Sequence, residues 1–288
     1  MSKLAFVGIG LMGAPMARRL VEAGHDLALW NRSRDKLAPL IARGARAAAS
    51  PAAAARGAEM VMLCVTDTPA VEQVVFGADG VAEGLARGAI LVDFSSIRPD
   101  ATRHFAERLR AERGAGWIDA PVSGGVPGAE QGTLAIMAGG DDAEIERVRP
   151  VMQALSSRFT HMGPNGAGQT TKLCNQMIVG CNLAVIAEAI KLAQDSGVDA
   201  ARLPDCLKGG FADSLPLQIF GRRMASGQYD PPLAASETML KDLDTACDLA
   251  RQTTTPLPMT SLASAIFRLL KAHGHGKDDP AALLALLG

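Results

Sequence analysis

The chain has no strong excess of charge: 29 lysines and arginines stand against 30 aspartates and glutamates, a formal net charge of −1 over 288 residues. That balance leaves no reason to expect a nucleic-acid partner held by its phosphates. Cysteines are few and unpaired by spacing. Cys64, Cys174, Cys181, Cys206 and Cys247 form no Cys-x-x-Cys motif, and several lie in apolar runs where a free thiol behaves as a small hydrophobe. A reduced, cytoplasmic setting is expected. No basic segment with an apolar core and cleavage site opens the sequence, because residues 4–7 run straight into glycines. Long uninterrupted hydrophobic runs are also missing. The most apolar helical stretch, 177–193, is broken by Asn182, Glu188 and Lys191, so a buried helix is expected there and no membrane partner. Internal repeats, low-complexity linkers and blocks of like charge are absent. With 48% hydrophobic and 20% charged residues, what remains is an ordinary globular balance and chain enough for about two domains.

What is present is an alternation. Strand-like runs at 4–7, 27–30, 60–65, 90–94, 117–120 and 134–138 are separated by helical patterns at 14–23, 34–43, 70–76, 99–113 and 141–155. Such alternation predicts an α/β domain, a doubly wound Rossmann-type parallel sheet with crossover helices, over residues 1–163. After Gly163-Pro-Asn-Gly166-Ala-Gly168 the strand-like runs stop. Helical segments follow at about 169–196, 201–209, 215–226, 234–251 and 257–272. Residues 164–288 are therefore expected to form an all-α domain, entered by a long helix and serving substrate binding and oligomerisation. The stretch around His273-Gly-His275 reads as a polar, mobile tail. No cysteine or carboxylate cluster completes a tetrahedral set with those histidines, so no metal is expected.

Gly8-Ile9-Gly10-Leu11-Met12-Gly13 follows the first strand and opens the first helix, the context in which a glycine-rich turn binds a dinucleotide. Gly8 permits the tight turn, Gly10 lets backbone approach a pyrophosphate, and Gly13 allows close helix packing. The helix start adds free N–H groups for the phosphates. A generic strand-turn-helix is the bland alternative. At the end of the second strand, where an acidic residue usually accepts from the adenosine ribose of NAD, the sequence is Trp30-Asn31-Arg32-Ser33. Nothing there repels a 2′-phosphate; Arg32 can bond to one, with Asn31 and Ser33 adding neutral bonds. NADP(H) is the expected cofactor, with NAD as the weaker alternative and a solvated Arg32 as the bland reading. Thr66 and Ser95, after the third and fourth predicted strands, are further candidates, because ligands bind beyond strand carboxyl ends.

Two more segments carry chemistry. Ser123-Gly124-Gly125, after the fifth predicted strand, offers a hydroxyl and two unobstructed backbone N–H groups, a set suited to a carboxylate, or else is simply a turn needing positive φ. Lys172, Asn175 and Gln176 fall at i, i+3 and i+4, which aligns an amine and two amides on one helical face. Such a lysine is either a proton donor or a snorkelling surface charge.

Together, Gly8-x-Gly10-x-Met12-Gly13, Asp119-Ala-Pro121-Val-Ser123-Gly124-Gly125, Gly166-x-Gly168-x3-Lys172-x2-Asn175 and Lys241-Asp242-Leu243 resemble the β-hydroxyacid dehydrogenase family over nearly the whole chain. That resemblance implies that Lys172 is the catalytic lysine and that Ser123, Gly124 and Gly125 form the substrate loop. It further implies that Asn175, with Gln176 beside it, orients substrate, that Lys241 stands near the nicotinamide end of the cofactor, and that Ser95 contacts the cofactor. Without it, Lys241 passes for a solvated helical residue. Two departures blur the substrate: Gln176 stands where many members carry a second asparagine, and Leu233 lies near an expected aromatic.

The activity implied is reduction of a small carboxylate-bearing aldehyde, or oxidation of its hydroxy acid. Tartronate semialdehyde (2-hydroxy-3-oxopropionate) leads; 3-hydroxyisobutyrate, glyoxylate and succinic semialdehyde are alternatives. Oxidative decarboxylation like that of 6-phosphogluconate dehydrogenase fits Lys172, but those relatives are longer and no Arg and His cluster for a sugar phosphate follows the lysine. Imine reduction fits less well, because such enzymes commonly replace the lysine. A non-catalytic dinucleotide-sensing module is the reading from another class. The abundance of apolar helix in the second domain predicts a homodimer or homotetramer.

Overall fold

The computed structural model describes residues 2–288. Two compact units divide the chain, Met1–Lys172 and Leu173–Gly288. The division falls within one continuous helix, Ala167–Asp195.

In the first unit the described residues form a sheet of nine strands: β1 (Lys3–Val7), β2 (Asp26–Trp30), β3 (Arg46–Ala47), β4 (Met60–Leu63), β5 (Ile90–Asp93), β6 (Gly116–Asp119), β7 (Val122–Ser123), β8 (Leu134–Gly139) and β9 (Ser156–Gly163). Their order is β3-β2-β1-β4-β5-β6-β8-β7, with β9 on β8. The first six are parallel, whereas β8 runs antiparallel to β6 and β7. Every residue of β4, β5 and β6 is buried, as strands covered by helices on both faces require. Alternate residues of β1 serve separate cores: Leu4 and Phe6 join Met16, Leu20 and Leu29, while Ala5 and Val7 join Val61, Val71 and Leu91.

Sheet order turns back at β1, since β2 lies on one side and β4 on the other. Such a switch opens a crevice beyond the strand carboxyl ends. One row of paired residues marks those ends, running Trp30, Val7, Leu63, Asp93, Asp119 and Gly139.

The second unit is helical. Leu183, Ile186, Ala187 and Ile190 pack with Leu240, Leu243, Phe267 and Leu270 into its core. Helices Ser236–Thr253 and Pro258–Leu270 are separated by a short turn: Thr254 adopts φ 55, ending the first, and Pro258 supplies the first residue of the second. Gly180 lets a neighbouring side chain in close, since a Cβ there would lie 3.0 Å from Leu243 Cδ2.

Two expectations are corrected. The stretch 177–193 is buried on one face only; Ile178, Val185 and Leu192, seven residues apart, are 64, 55 and 69% exposed. By length and composition alone this helix passes for a membrane span, but the residues between the exposed ones build the unit's core. The C-terminal stretch is not a loose tail. His275 Nδ1 lies 2.8 Å from Asp278 Oδ2, and buried Asp279 accepts the Leu233 N–H at 2.8 Å. Residues Pro280–Leu287 then form a 3-10 helix whose Ala281, Ala282 and Leu283 enter the core.

Candidate functional site

The glycine-rich turn leaves β1 with Gly8 at φ 97, a conformation that disfavours any side chain, and a Cβ there would strike the Cys64 carbonyl oxygen. At Gly13, the first residue of helix Gly13–Glu22, a Cβ would strike the Gly8 carbonyl oxygen. Gly10 differs. Nothing lies within 4 Å of its Cβ position, so its exposed backbone is open to a ligand. Two glycines closed by contact and one left open fit a dinucleotide phosphate cradle at the helix start. Ile9 is buried, whereas Leu11 is exposed and Met12 precedes the first helical turn.

Asn31 does something sequence reasoning did not assign to it. Its Oδ1 accepts the Ile9 N–H at 2.9 Å and its Nδ2 donates to the Ser33 carbonyl at 2.9 Å. The amide therefore ties the glycine turn to the chain leaving β2. Arg32 and Ser33 beside it are exposed, and among the described residues Arg32 forms no ion pair. Thr66, after β4, is exposed and donates to Asp67 Oδ2 at 3.0 Å; Asp67 in turn caps helix Thr68–Phe76. Ser95 is only 2% exposed, and its hydroxyl accepts the Val65 N–H at 3.0 Å. Its side chain thus holds two strand ends together, leaving half-buried Ser96 next to it.

Ser123 ends β7 and is half-buried, with Gly124 at φ 128 and Gly125 at φ 60 before the short helix Gly125–Gln131. Both glycines are left-handed, as a turn there requires, and both are exposed. Gly8, Asn31, Arg32, Thr66 and Ser95 follow strand ends, and Ser123 is the last residue of β7. The structure thereby gathers at one end of one sheet residues far apart in sequence.

Lys172 reaches that unit through a contact that sequence reasoning missed. Asp119, the last residue of β6, is fully buried; Oδ1 accepts the Gly166 N–H at 2.8 Å and Oδ2 the Gln169 N–H at 2.9 Å. Half-buried Lys172 stands on the same first turns of that helix. Burial pushes the Asp119 carboxyl up to about 6, the N–H donors pulling the other way. Its neighbour across the ladder, Asp93, is pushed up to about 7, mainly by burial, against hydrogen bonds from Ser95 and with the charge of Asp119 adding to the rise. Burial beside Asp93 likewise holds the Cys64 thiol at about 12.

In the second unit, Asn175, Gln176 and Lys241 are joined through Asp242, also unforeseen. Asn175 Nδ2 donates to Gln176 Oε1 at 2.9 Å, Gln176 Nε2 donates to Asp242 Oδ2 at 2.7 Å, and Lys241 Nζ lies 3.4 Å from Asp242 Oδ1. An asparagine at 176 would be one methylene shorter. Leu233, the other departure, is half exposed and offers only its N–H, to Asp279.

Residues 3–163 match a family model described as the NAD binding domain of 6-phosphogluconate dehydrogenase, and residues 166–287 match one described as NAD-binding of NADP-dependent 3-hydroxyisobutyrate dehydrogenase. A 2-hydroxy-3-oxopropionate reductase of Escherichia coli (strain K12) is 38% identical, over 99% of this chain and 97% of the relative. An NAD-dependent L-serine dehydrogenase of Pseudomonas aeruginosa is 34% identical, over 97% and 95%. The solved structure of Mycobacterium tuberculosis 3-hydroxyisobutyrate dehydrogenase with L-serine aligns at a TM-score of 0.90 and 30% identity, covering 100% of this chain and 99% of that one. A parallel sheet with this phosphate cradle, followed by a helical unit, defines an NAD(P)-dependent oxidoreductase acting on hydroxy acids. The chain belongs to the β-hydroxyacid dehydrogenase family, as its four motifs implied.

Proposed function

We propose that the protein is an NADP(H)-dependent reductase of a short aldehyde acid, and in reverse the dehydrogenase of the hydroxy acid, with tartronate semialdehyde as the lead substrate. The observation that carries this is the clamp of Asp119 on the Lys172 helix, at the sheet end that also holds the glycine turn and Ser123. The relative that reduces 2-hydroxy-3-oxopropionate supports the substrate, and exposed Arg32, with no carboxylate at position 31, supports the cofactor.

When bound, the reduced nicotinamide supplies the hydride. Ser123 and the N–H groups of Gly124 and Gly125 hold the substrate carboxylate. As negative charge develops on the carbonyl oxygen, the Lys172 ammonium neutralises it and gives up a proton. In the oxidative direction a neutral Lys172 accepts the hydroxyl proton.

A second reading, oxidation of a 3-hydroxy acid such as 3-hydroxyisobutyrate or serine, is supported by the L-serine dehydrogenase and by the solved relative with L-serine. Association into a homodimer or homotetramer is supported by the exposed stripe Ile178, Val185 and Leu192. A spectrophotometric screen of tartronate semialdehyde, glyoxylate, succinic semialdehyde, 3-hydroxyisobutyrate and L-serine with both cofactors tests the proposal. Highest kcat/KM for tartronate semialdehyde with NADPH is expected. Turnover of none of these sinks the enzyme reading, and a preference for NADH sinks the cofactor assignment.

A further inference from the structure

The helix that carries Lys172 begins where its own chain cannot cap it. Gly166, just before the first helical residue, has φ 90 and no side chain to offer to the helix's open N–H groups. Asp119 of β6 takes that place, and its carboxylate also suits the positive end of the helix dipole. The fit leaves no slack. A Cβ on Gly168 would strike the Met137 carbonyl oxygen and lie 2.7 Å from that of Asp119.

Gln169 adds a second tie, at right angles in function to the first. It is 1% exposed, its Nε2 donates to the Ser95 carbonyl at 2.7 Å, and its Oε1 accepts the Ile97 N–H at 3.2 Å. One amide thus pairs with a C=O and an N–H two residues apart, as a neighbouring strand would. A primary amide supplies donor and acceptor side by side whatever the pH. The segment it grips follows β5 at the ligand-binding end of the sheet, and its Ser95 is locked in turn to Val65 and Asp93. Gln169 lies three residues before Lys172, so the two stand one helical turn apart on neighbouring positions.

We propose that Gln169, seated on Asp119, is a positioning residue: it fixes the placement of Lys172 relative to the segment 95–97 and affects the reaction only through Lys172. This rests on the proton-transfer role proposed for Lys172. A lysine on a free helix end samples many placements, and a misplacement of about 1 Å costs on the order of 100-fold in rate. The clamp removes that freedom before substrate arrives.

A double-mutant cycle of Gln169→Leu and Lys172→Ala decides the matter. Gln169→Leu is expected to lower kcat by roughly 10- to 100-fold while the Kd for NADPH, measured by fluorescence, stays within about threefold. In the Lys172→Ala background the same change is expected to cost nothing further, because no amine is left to position. Additive losses overturn the proposal, as does a Gln169→Leu enzyme within about twofold of wild-type kcat. Near-normal turnover of Lys172→Ala alone sinks the proton-transfer reading and this inference together, so the two failures are told apart. Should Gln169→Leu not fold, Asp119→Asn enters the same cycle with the same expectation. A readout independent of activity is the amide exchange of Ile97 in the free protein: it is expected to accelerate in Gln169→Leu, and unchanged protection overturns the clamp.

Discussion

Gln176 Nε2 donates to Asp242 Oδ2 at 2.7 Å, binding together two motifs that stand 66 positions apart. Asp242 is nearly buried and its other oxygen faces Lys241 at 3.4 Å. Asp242→Ala takes the carboxylate acceptor from the half-buried Gln176 amide, and a hydrogen bond to a charged group contributes about 1.5–3 kcal/mol. Urea denaturation should show that loss, whereas Lys241→Ala should cost little, because an ion pair with one exposed partner contributes roughly 0–1 kcal/mol. Equal losses in the two variants would refute the central place of Asp242.

Lys172→Ala tests the proposed chemistry directly. General acid catalysis contributes on the order of 10²–10⁴-fold, so kcat should drop by that amount with NADPH binding retained. Near-normal kcat would remove Lys172 from the mechanism.

Arg32→Ala probes the cofactor. A charge-assisted bond to a 2′-phosphate contributes about 1.5–3 kcal/mol, so the kcat/KM ratio for NADPH over NADH should fall roughly 10- to 100-fold. An unchanged ratio would return Arg32 to the solvent.

Asp93 predicts a pH dependence. An unfolded aspartate titrates at about 3.9, and burial raises the folded group to about 7. Between these values the unfolded state loses its proton first, so the stability contributed by the protonated group is fully present below about pH 4 and is lost as pH rises through 7. Asp119, raised to about 6, acts in the same direction. In chemical denaturation, Asp93→Asn should therefore gain stability relative to wild type on going from about pH 5 to 8. A difference that stays constant with pH would show that Asp93 does not titrate in this range.

Val185→Glu with Leu192→Glu places charge on the exposed stripe of the long helix. Sedimentation should show a smaller species than wild type. The same mass for both would put any self-association elsewhere.

The sequence displayed what is local. Apolar runs between glycines located β1, β2, β4, β5, β6 and the core of β8 to within a residue or two, and helix Pro99–Arg113 was delimited by its proline and by Gly114, which is left-handed in the structure. Short or polar pieces escaped. β3 and β7 have two residues each, β9 alternates exposed polar positions at the sheet edge, and helix Gly125–Gln131 hides behind glycines and a proline. Candidate residues were visible as types, but their supports were not. Asp119 meets Gly166 across 47 positions and Gln169 meets Ser95 across 74, and no periodicity reports a hydrogen bond of that span. The amide bonds that Asn31 makes within the fold could not be read from a tetrapeptide.

That last bond bears on how cofactor use evolves. Ile9 needs only an oxygen from position 31, and an aspartate carries the same oxygen at the same place. A single base change in the codon would therefore set a carboxylate at the end of β2, where ribose hydroxyls are recognised, keeping the bond from Ile9 but turning an oxygen toward the Ser33 carbonyl in place of the Nδ2 donor. The substitution keeps the tie to the glycine turn and gives up the tie to Ser33, so drift between the two nicotinamide cofactors would begin with a looser chain just after β2, where Arg32 stands.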